Sequence, residues 1–261
     1  MQKEHKAKTI KRAFIIAFIA LFCFGFYKAF LEEYTAKSVF ATARGRVIVI
    51  DPGHGAFDVG AVGTTTKVQE KNINLQVALK LKDFFENAGA TVIMTRENDK
   101  AIAYNKDSDM YKRRMIIKES NADIVISIHM NRFVGSSSVS GPQVYYCKGS
   151  VNGEKAATYV QAQLIKKLNP SKKRKAAIGD YYILKSGASP CILVECGFLS
   201  NPREERLLQQ SSYQDKIASA IFAGVEQYFN EIPKVTFTPL PTEKINSIKP
   251  TQGSMLYEII E

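Results

Sequence analysis

Apolar residues recur along this chain with two different periods, and the switching between them lays out the elements. Residues 46–50 (RVIVI) are a β-branched run that stops at the turn signal Asp51-Pro52-Gly53. Residues 70–88 then change period: Ile73, Val77, Leu81 and Phe84 share one helical face, and Gly89 follows as a stop. TVIMT (91–95) reads as a strand, 108–120 as a helix and ADIVISI (122–128) as a buried strand. PQVYYC (142–147), YYIL (181–184) and CILVE (191–195) read as further strands. EKAATYVQAQLIKKL (154–168), PREERLL (202–208) and 212–229 read as helices. Strands alternating with helices predict an α/β fold: one domain with a largely parallel central sheet, flanked by helices on both faces.

The ends depart from this pattern. Residues 1–12 carry five Lys/Arg and one Glu, and 13–27 (AFIIAFIALFCFGFY) hold no charge. The run has 15 residues, between the length of a signal-peptide core and the roughly 20 residues a spanning helix needs. Extension through Lys28 to Leu31 lets a tilted helix span, with Lys28 snorkelling. The small-x-small site Ala41-Thr42-Ala43 lies 14 residues beyond Tyr27, far for cleavage. Segment 1–43 therefore reads as a basic head, an uncleaved export or anchor helix and a linker. This puts 44–230 on the outer face of the cytoplasmic membrane. Residues 231–261 hold Pro233, Pro239, Pro241 and Pro250 with no helical period and read as an extended tail.

Charge changes the picture next. The net charge is +11, and +8 of it belongs to 44–230, so the basic character is not only that of the head. Such a balance implies an anionic partner: nucleic acid, a membrane surface or an acidic polymer. The export segment argues against nucleic acid. Cys23, Cys147, Cys191 and Cys196 are too few for a disulfide scaffold and contain no CxxC. Cys191 and Cys196 lie five apart along one strand, so they face opposite sides and do not pair. Cys147 reads as a free buried thiol. Lys166, Lys167, Lys172, Lys173, Arg174 and Lys175 read as a solvated helix end that suits the dipole, with glycan contact as the alternative.

Candidate chemistry gathers where strands end. There are three His, and His5 sits in the basic head, which leaves His54 (in IDPGHG) and His129 (in SIHMN). Glu70 begins the long helix, and Glu195 ends the strand CILVE. Two His and a Glu are a common zinc set with a fourth position left for water, and a second Glu can handle that water's proton. The spacings are wide, and by themselves they are only suggestive. Asp51 reads as a turn-former, with orientation of a ligand as the alternative. Asn131 and Arg132 read as cleft or turn residues.

Four blocks narrow this. VIDPGHGAFDVGAVG, QEKNINL, ADIVISIHMN and ILVECGFLSNPREERLL resemble, in order, the blocks of the zinc-dependent N-acetylmuramoyl-L-alanine amidases of the amidase-3 type. The likeness runs from about Arg46 to Phe229. It implies hydrolysis of the amide between the lactyl group of N-acetylmuramic acid and L-alanine of the peptidoglycan stem peptide. Carried over position by position, it implies one zinc per chain on His54, Glu70 and His129, with Glu195 catalytic. Arg113 matches a family Arg. Lys118, where Asn is frequent, and Cys196, where a small or apolar residue is usual, depart from the pattern. The MTRENDK and GPQVYYCKGSVNGEKAATYVQ segments and the short anchor are similar to germination-specific, spore-cortex (CwlD-type) amidases, which implies muramic-δ-lactam formation in the space between forespore membranes. Intact His54, Glu70, His129 and Glu195 weigh against the alternative, a non-catalytic wall- or partner-binding module. No second wall-binding domain is visible in 44–230, so activation or localisation would call on a separate protein partner.

Overall fold

The β-branched runs assemble into one sheet whose two faces are sorted by residue parity. A computed structural model describes residues 42–187 and 189–232, together with Phe22, Phe24 and Gly25. The strands are β1 (Val47–Pro52), β2 (Thr91–Met94), β3 (Ile124–Asn131), β4 (Gln143–Tyr146), β5 (Ala177–Ile178) and β6 (Cys191–Phe198). The helices are α1 (Glu70–Asn87), α2 (Lys106–Glu119), α3 (Val151–Leu168), α4 (Pro202–Leu208) and α5 (Ser211–Glu231). The sheet order is β2-β1-β3-β6-β4-β5. β2, β1, β3 and β6 run parallel; β4 is antiparallel to β6 and carries the short β5 beside it.

Successive strand residues point to opposite faces. Ile48, Ile50, Ile124, Ile126, Ile128, Ile192 and Val194 join a large core with residues of α1, α3 and α5. Their neighbours Val49, Val125, Cys191 and Leu193 join a smaller core with Ile117 of α2 and with Ile183 and Leu184. Cys191 and Cys196 thus lie in different cores, as their spacing requires, and Cys147 is half-buried rather than buried. On α1 the fully buried aromatic is Phe85; Phe84 is half-buried and stacks on Phe222 of α5, ring centres 5.7 Å apart. Gly89, at φ +83°, ends α1 with its N–H on Glu86 O, a left-handed turn that disfavours a Cβ.

One element differs in kind from its sequence reading. Tyr182–Lys185 is a 3-10 turn, not a strand. Its two consecutive apolar residues, Ile183 and Leu184, are both buried in the smaller core on one side of the sheet, whereas successive residues of a strand point to opposite faces. The apolar run is too short for its period to be decided from sequence.

Residues 13–27, the linker before Thr42 and the tail beyond Ile232 lie outside the described residues, apart from Phe22, Phe24 and Gly25. Among the described residues no helix is long and apolar enough to cross a membrane.

Candidate metal centre and active site

The smaller-core face turns polar toward the carboxyl ends of the parallel strands. On β1 the series is Val47, Val49, Asp51; on β3 it is Val125, Ser127, His129; on β6 it is Cys191, Leu193, Glu195. The register sets Asp51 beside Ser127 and His129 beside Glu195. Strand parity alone therefore delivers His129 and Glu195 side by side on one face.

Glu70 arrives from the first turn of α1 and is 3% exposed. Its Oε1 lies 2.9 Å from His129 Nδ1, and its Oε2 lies 3.3 Å from His54 Nε2. Oε1 also accepts from Met130 N and Asn74 Nδ2, and Oε2 from Ala61 N. His54 follows β1 with φ +62°. Its Nδ1 lies 2.8 Å from Asp58 Oδ2, which turns Nε2 toward Glu70. The two imidazoles meet edge to face, centres 5.0 Å apart. Such close approach needs glycine nearby: a Cβ on Gly53 would stand 2.2 Å from His129 Cε1, and one on Gly60 2.6 Å from Glu70 Oε2.

Each of His54, Glu70 and His129 offers one ligand atom, all within 4.8 Å of one another, a grouping that can hold a metal ion. The electrostatics suit a cation. Burial alone would raise the Glu70 carboxyl, but hydrogen bonds and charge from His129 and His54 hold it well below the usual carboxylate range. Burial would lower the His129 imidazole, yet Glu70 reverses this and lifts it to about 9. A buried anion between two imidazoles favours positive charge at that point, and two nitrogens with one carboxylate are a donor set matched to zinc.

Glu195 is 7% exposed, and its Oε2 has no hydrogen-bond partner among the described residues. Burial pushes its carboxyl up to about 7, against the opposing pull of His129. It borders a cleft also lined by His54, Phe57, Lys106, His129, Tyr181 and Tyr182. All four sequence-predicted residues are thus brought to one place.

Asp51 is not a turn-former. It is the buried penultimate residue of β1, and it accepts from Thr95 Oγ1 (2.6 Å), Ser127 Oγ (2.7 Å) and Arg113 Nη1 (2.7 Å). Burial is overcome by these partners, and its carboxyl is lowered to about 2. Arg113 spends its remaining donors on Asp109 Oδ2, Pro52 O and His54 O, so it clamps the turn that carries His54. Asn131 lies half-buried at the end of β3 and Arg132 is exposed; neither lines the cleft. Sequence reasoning missed Asp58, Asn74 and Glu205. Glu205 is buried and accepts from Thr65 N, Thr66 N and Thr66 Oγ1, holding the loop before α1. Asp58 stands inside the block GAFDVG and Glu205 inside PREERLL, so the signal was present in the blocks though not in any period.

Residues 48–227 match the family model described as N-acetylmuramoyl-L-alanine amidase (Amidase_3). The chain belongs to this family. The amidase is 37% identical over 227 residues to the germination-specific N-acetylmuramoyl-L-alanine amidase of Bacillus subtilis, covering 84% of this chain and 94% of that one. It is 32% identical over 195 residues to the probable cell wall amidase LytH of Staphylococcus epidermidis, covering 72% and 60% respectively. Among solved structures, the amidase CwlD of Clostridioides difficile, in complex with the GerS lipoprotein, superposes with a TM-score of 0.68 at 34% identity. That match covers 72% of this chain and all of the other. The mostly parallel six-stranded sheet and the five helices of residues 42–232 are those of amidase-3 structures.

Proposed function

We propose that this amidase cleaves the bond between N-acetylmuramic acid and L-alanine in spore-cortex peptidoglycan, with one zinc held by His54, Glu70 and His129 and with Glu195 as the proton carrier. The observation that carries the reading is Glu195 itself: a buried carboxyl with an unpartnered oxygen, directly beside His129 in the sheet register and bordering the cleft. Zinc held by such a set supplies Lewis-acid chemistry.

The chain's own residues do the rest. His54 Nδ1–H donates to the Asp58 carboxylate, which leaves the Nε2 lone pair to face a metal. Asn74 and the Met130 and Ala61 amides fix the Glu70 carboxylate. Glu195 removes a proton from the attacking water and returns it to the amide nitrogen as the C–N bond breaks. A carboxyl raised to about 7 exchanges that proton readily near neutrality.

The catalytic domain spans 44–230 in this reading. The apolar run 13–27 carries it across the cytoplasmic membrane and tethers it, which in a forespore places it in the intermembrane space where cortex is laid down. The tail is an appendage beyond Ile232 rather than from 231, since α5 runs to Glu231 and Arg46 donates to Ile232 O. The lipoprotein complex of the clostridial relative supports a protein partner here too.

The test is metal analysis with product identification on wall fragments. Glu195→Gln should keep about one zinc per chain and lose roughly 10²-fold or more in turnover, while His129→Ala should lose both metal and activity. Near-normal turnover by Glu195→Gln would exclude Glu195 from proton transfer. Zinc-free active protein would exclude the metal.

A further inference from the structure

Among the described residues four cations stand close to the metal-binding set, and three of them are already spent: Lys71 is 8% exposed and donates to Asp99 Oδ2 and Ala56 O. Arg113 is 1% exposed and bonded to Asp51, Asp109, Pro52 O and His54 O. Arg96 is 6% exposed and donates to the carbonyls of Pro52, Asn98, Gly53 and Lys71. Lys106 is different. It lines the cleft, its side chain is 66% exposed, and its ion-pair partner Asp58 stands at 3.5 Å, beyond good hydrogen-bonding distance. Asp58 is itself engaged with His54 Nδ1 and Gly60 N.

Helix α2 itself does not call for a lysine here. Lys106 is the first residue of α2, and a cation in the first turn opposes the helix dipole. Asp107 and Asp109 serve that dipole, and the Asn105–Ser108 capping box fixes the backbone without help from the lysine. The position works against its own helix, yet holds an exposed ammonium at the cleft, beside the Asp58 carboxylate that bonds His54.

The chemistry of the proposed substrate says which part of it meets this charge. Once the lactyl carboxyl of N-acetylmuramic acid is tied up in the scissile amide, the sugar side carries only hydroxyls, ether oxygens and acetamide, all neutral. The anionic groups lie on the peptide side, as free carboxylates beyond L-alanine. Aromatic rings offer the complementary surface: Tyr181, which precedes the 3-10 turn, and Tyr182, which opens it, border the same cleft and are partly exposed, suited to the apolar face of a sugar. Resting on the amidase reading above, we infer that Lys106 is a specificity residue that receives a stem-peptide carboxylate and so sets the peptide-side direction of the substrate.

The experiment compares the full-length, zinc-loaded protein with Lys106→Gln and Lys106→Arg. Each is given muropeptides with free stem carboxylates and the same muropeptides with those carboxylates amidated. An exposed charge-assisted contact of this kind is worth at most about three- to fivefold. Lys106→Gln should therefore raise KM by about that factor on the free acid with little change in kcat, while Lys106→Arg should restore most of it. On the amidated substrate the difference between wild type and Lys106→Gln should shrink to within about twofold. Equal losses on both substrates would make Lys106 a support for Asp58 and His54 and overturn the assignment. So would no loss on either. Absence of cleavage by the wild type at the N-acetylmuramic acid–L-alanine bond would instead refute the amidase reading itself, and the assignment with it.

Discussion

The two faces of the sheet are built from the same strands and have opposite fates. On one face Ile48, Ile50, Ile124, Ile126, Ile128, Ile192 and Val194 stay aliphatic to the strand ends, roofed by α1, α3 and α5. On the other face the apolar residues give way to Asp51, Ser127, His129 and Glu195, under α2 and the 3-10 turn. The first face stabilises by burial, at roughly 25 cal/mol per Å² of apolar surface removed from water. The second must hold buried charge, which is tolerated only when paired. Strand alternation thus lets one set of residues carry a core on one side and chemistry on the other, separated by one backbone.

The strongest way to break this comparison is at Arg113. Removing it leaves Asp51 and Asp109, 2% and 9% exposed, without their shared cation. Breaking a buried pair by deleting one partner costs about 3–5 kcal/mol. Arg113→Met should lose that much in urea unfolding and should also bind metal more weakly, because Arg113 Nη2 holds the His54 carbonyl. A loss under about 1 kcal/mol would show that the polar face is not held by this clamp. Ile126→Ala, on the closed face and 0% exposed, should cost somewhat less, about 3 kcal/mol, as a core cavity does. Its kcat/KM should stay within about twofold when measured well below the unfolding transition. A large fall in kcat/KM would mean that the two faces are coupled.

Acid sharpens the contrast, because, of the two sheet faces, only the polar one carries carboxyls on its strands. The Asp51 carboxyl sits at about 2 in the folded chain, against roughly 3.9 when unfolded. A lowered folded value means that the stabilisation is fully present above the unfolded value and is lost as pH falls through the folded one. Between about pH 4 and pH 2 the wild type should therefore lose on the order of 2 kcal/mol through Asp51. Stability against pH for Asp51→Asn should lack this component. If both curves fall in parallel, Asp51 is not the group responsible.

The closed face was readable from sequence, and most of the polar one was not. β1, β3 and β6 announce themselves as β-branched runs, and α1 by the spacing of Ile73, Val77 and Leu81, because burial imposes a period on the residues it covers. The sequence period also placed His129 and Glu195 at strand ends. It could not say that Asp51 pairs with Arg113, 62 residues away, since charged partners brought together by topology leave no periodic trace. For the same reason the pattern of β4 does not reveal that it runs antiparallel to β6. The run YYIL was too short to separate a strand from a turn. Glu70 could be matched to a ligand position only through its family block, because its neighbours in space come from β3 and from the loops flanking His54.

The finest test uses two chain neighbours that face opposite ways. Ser127 follows Ile126 and is equally buried, but its Oγ donates to Asp51 Oδ2 at 2.7 Å. Ser127→Ala removes that donor while Asp51 keeps Thr95 and Arg113 on its other oxygen. The expected cost is about 2 kcal/mol near neutral pH, because the buried, ionised Oδ2 is left without its Ser127 donor, and less than that of Ile126→Ala. Losing a donor to the ionised form also makes Asp51 easier to protonate. The acid limb of stability for Ser127→Ala should therefore begin at higher pH than in the wild type, whereas Ile126→Ala should lower the whole curve without moving that limb. Should Ile126→Ala move the acid limb as far as Ser127→Ala does, the division of labour between the faces fails at the level of adjacent residues.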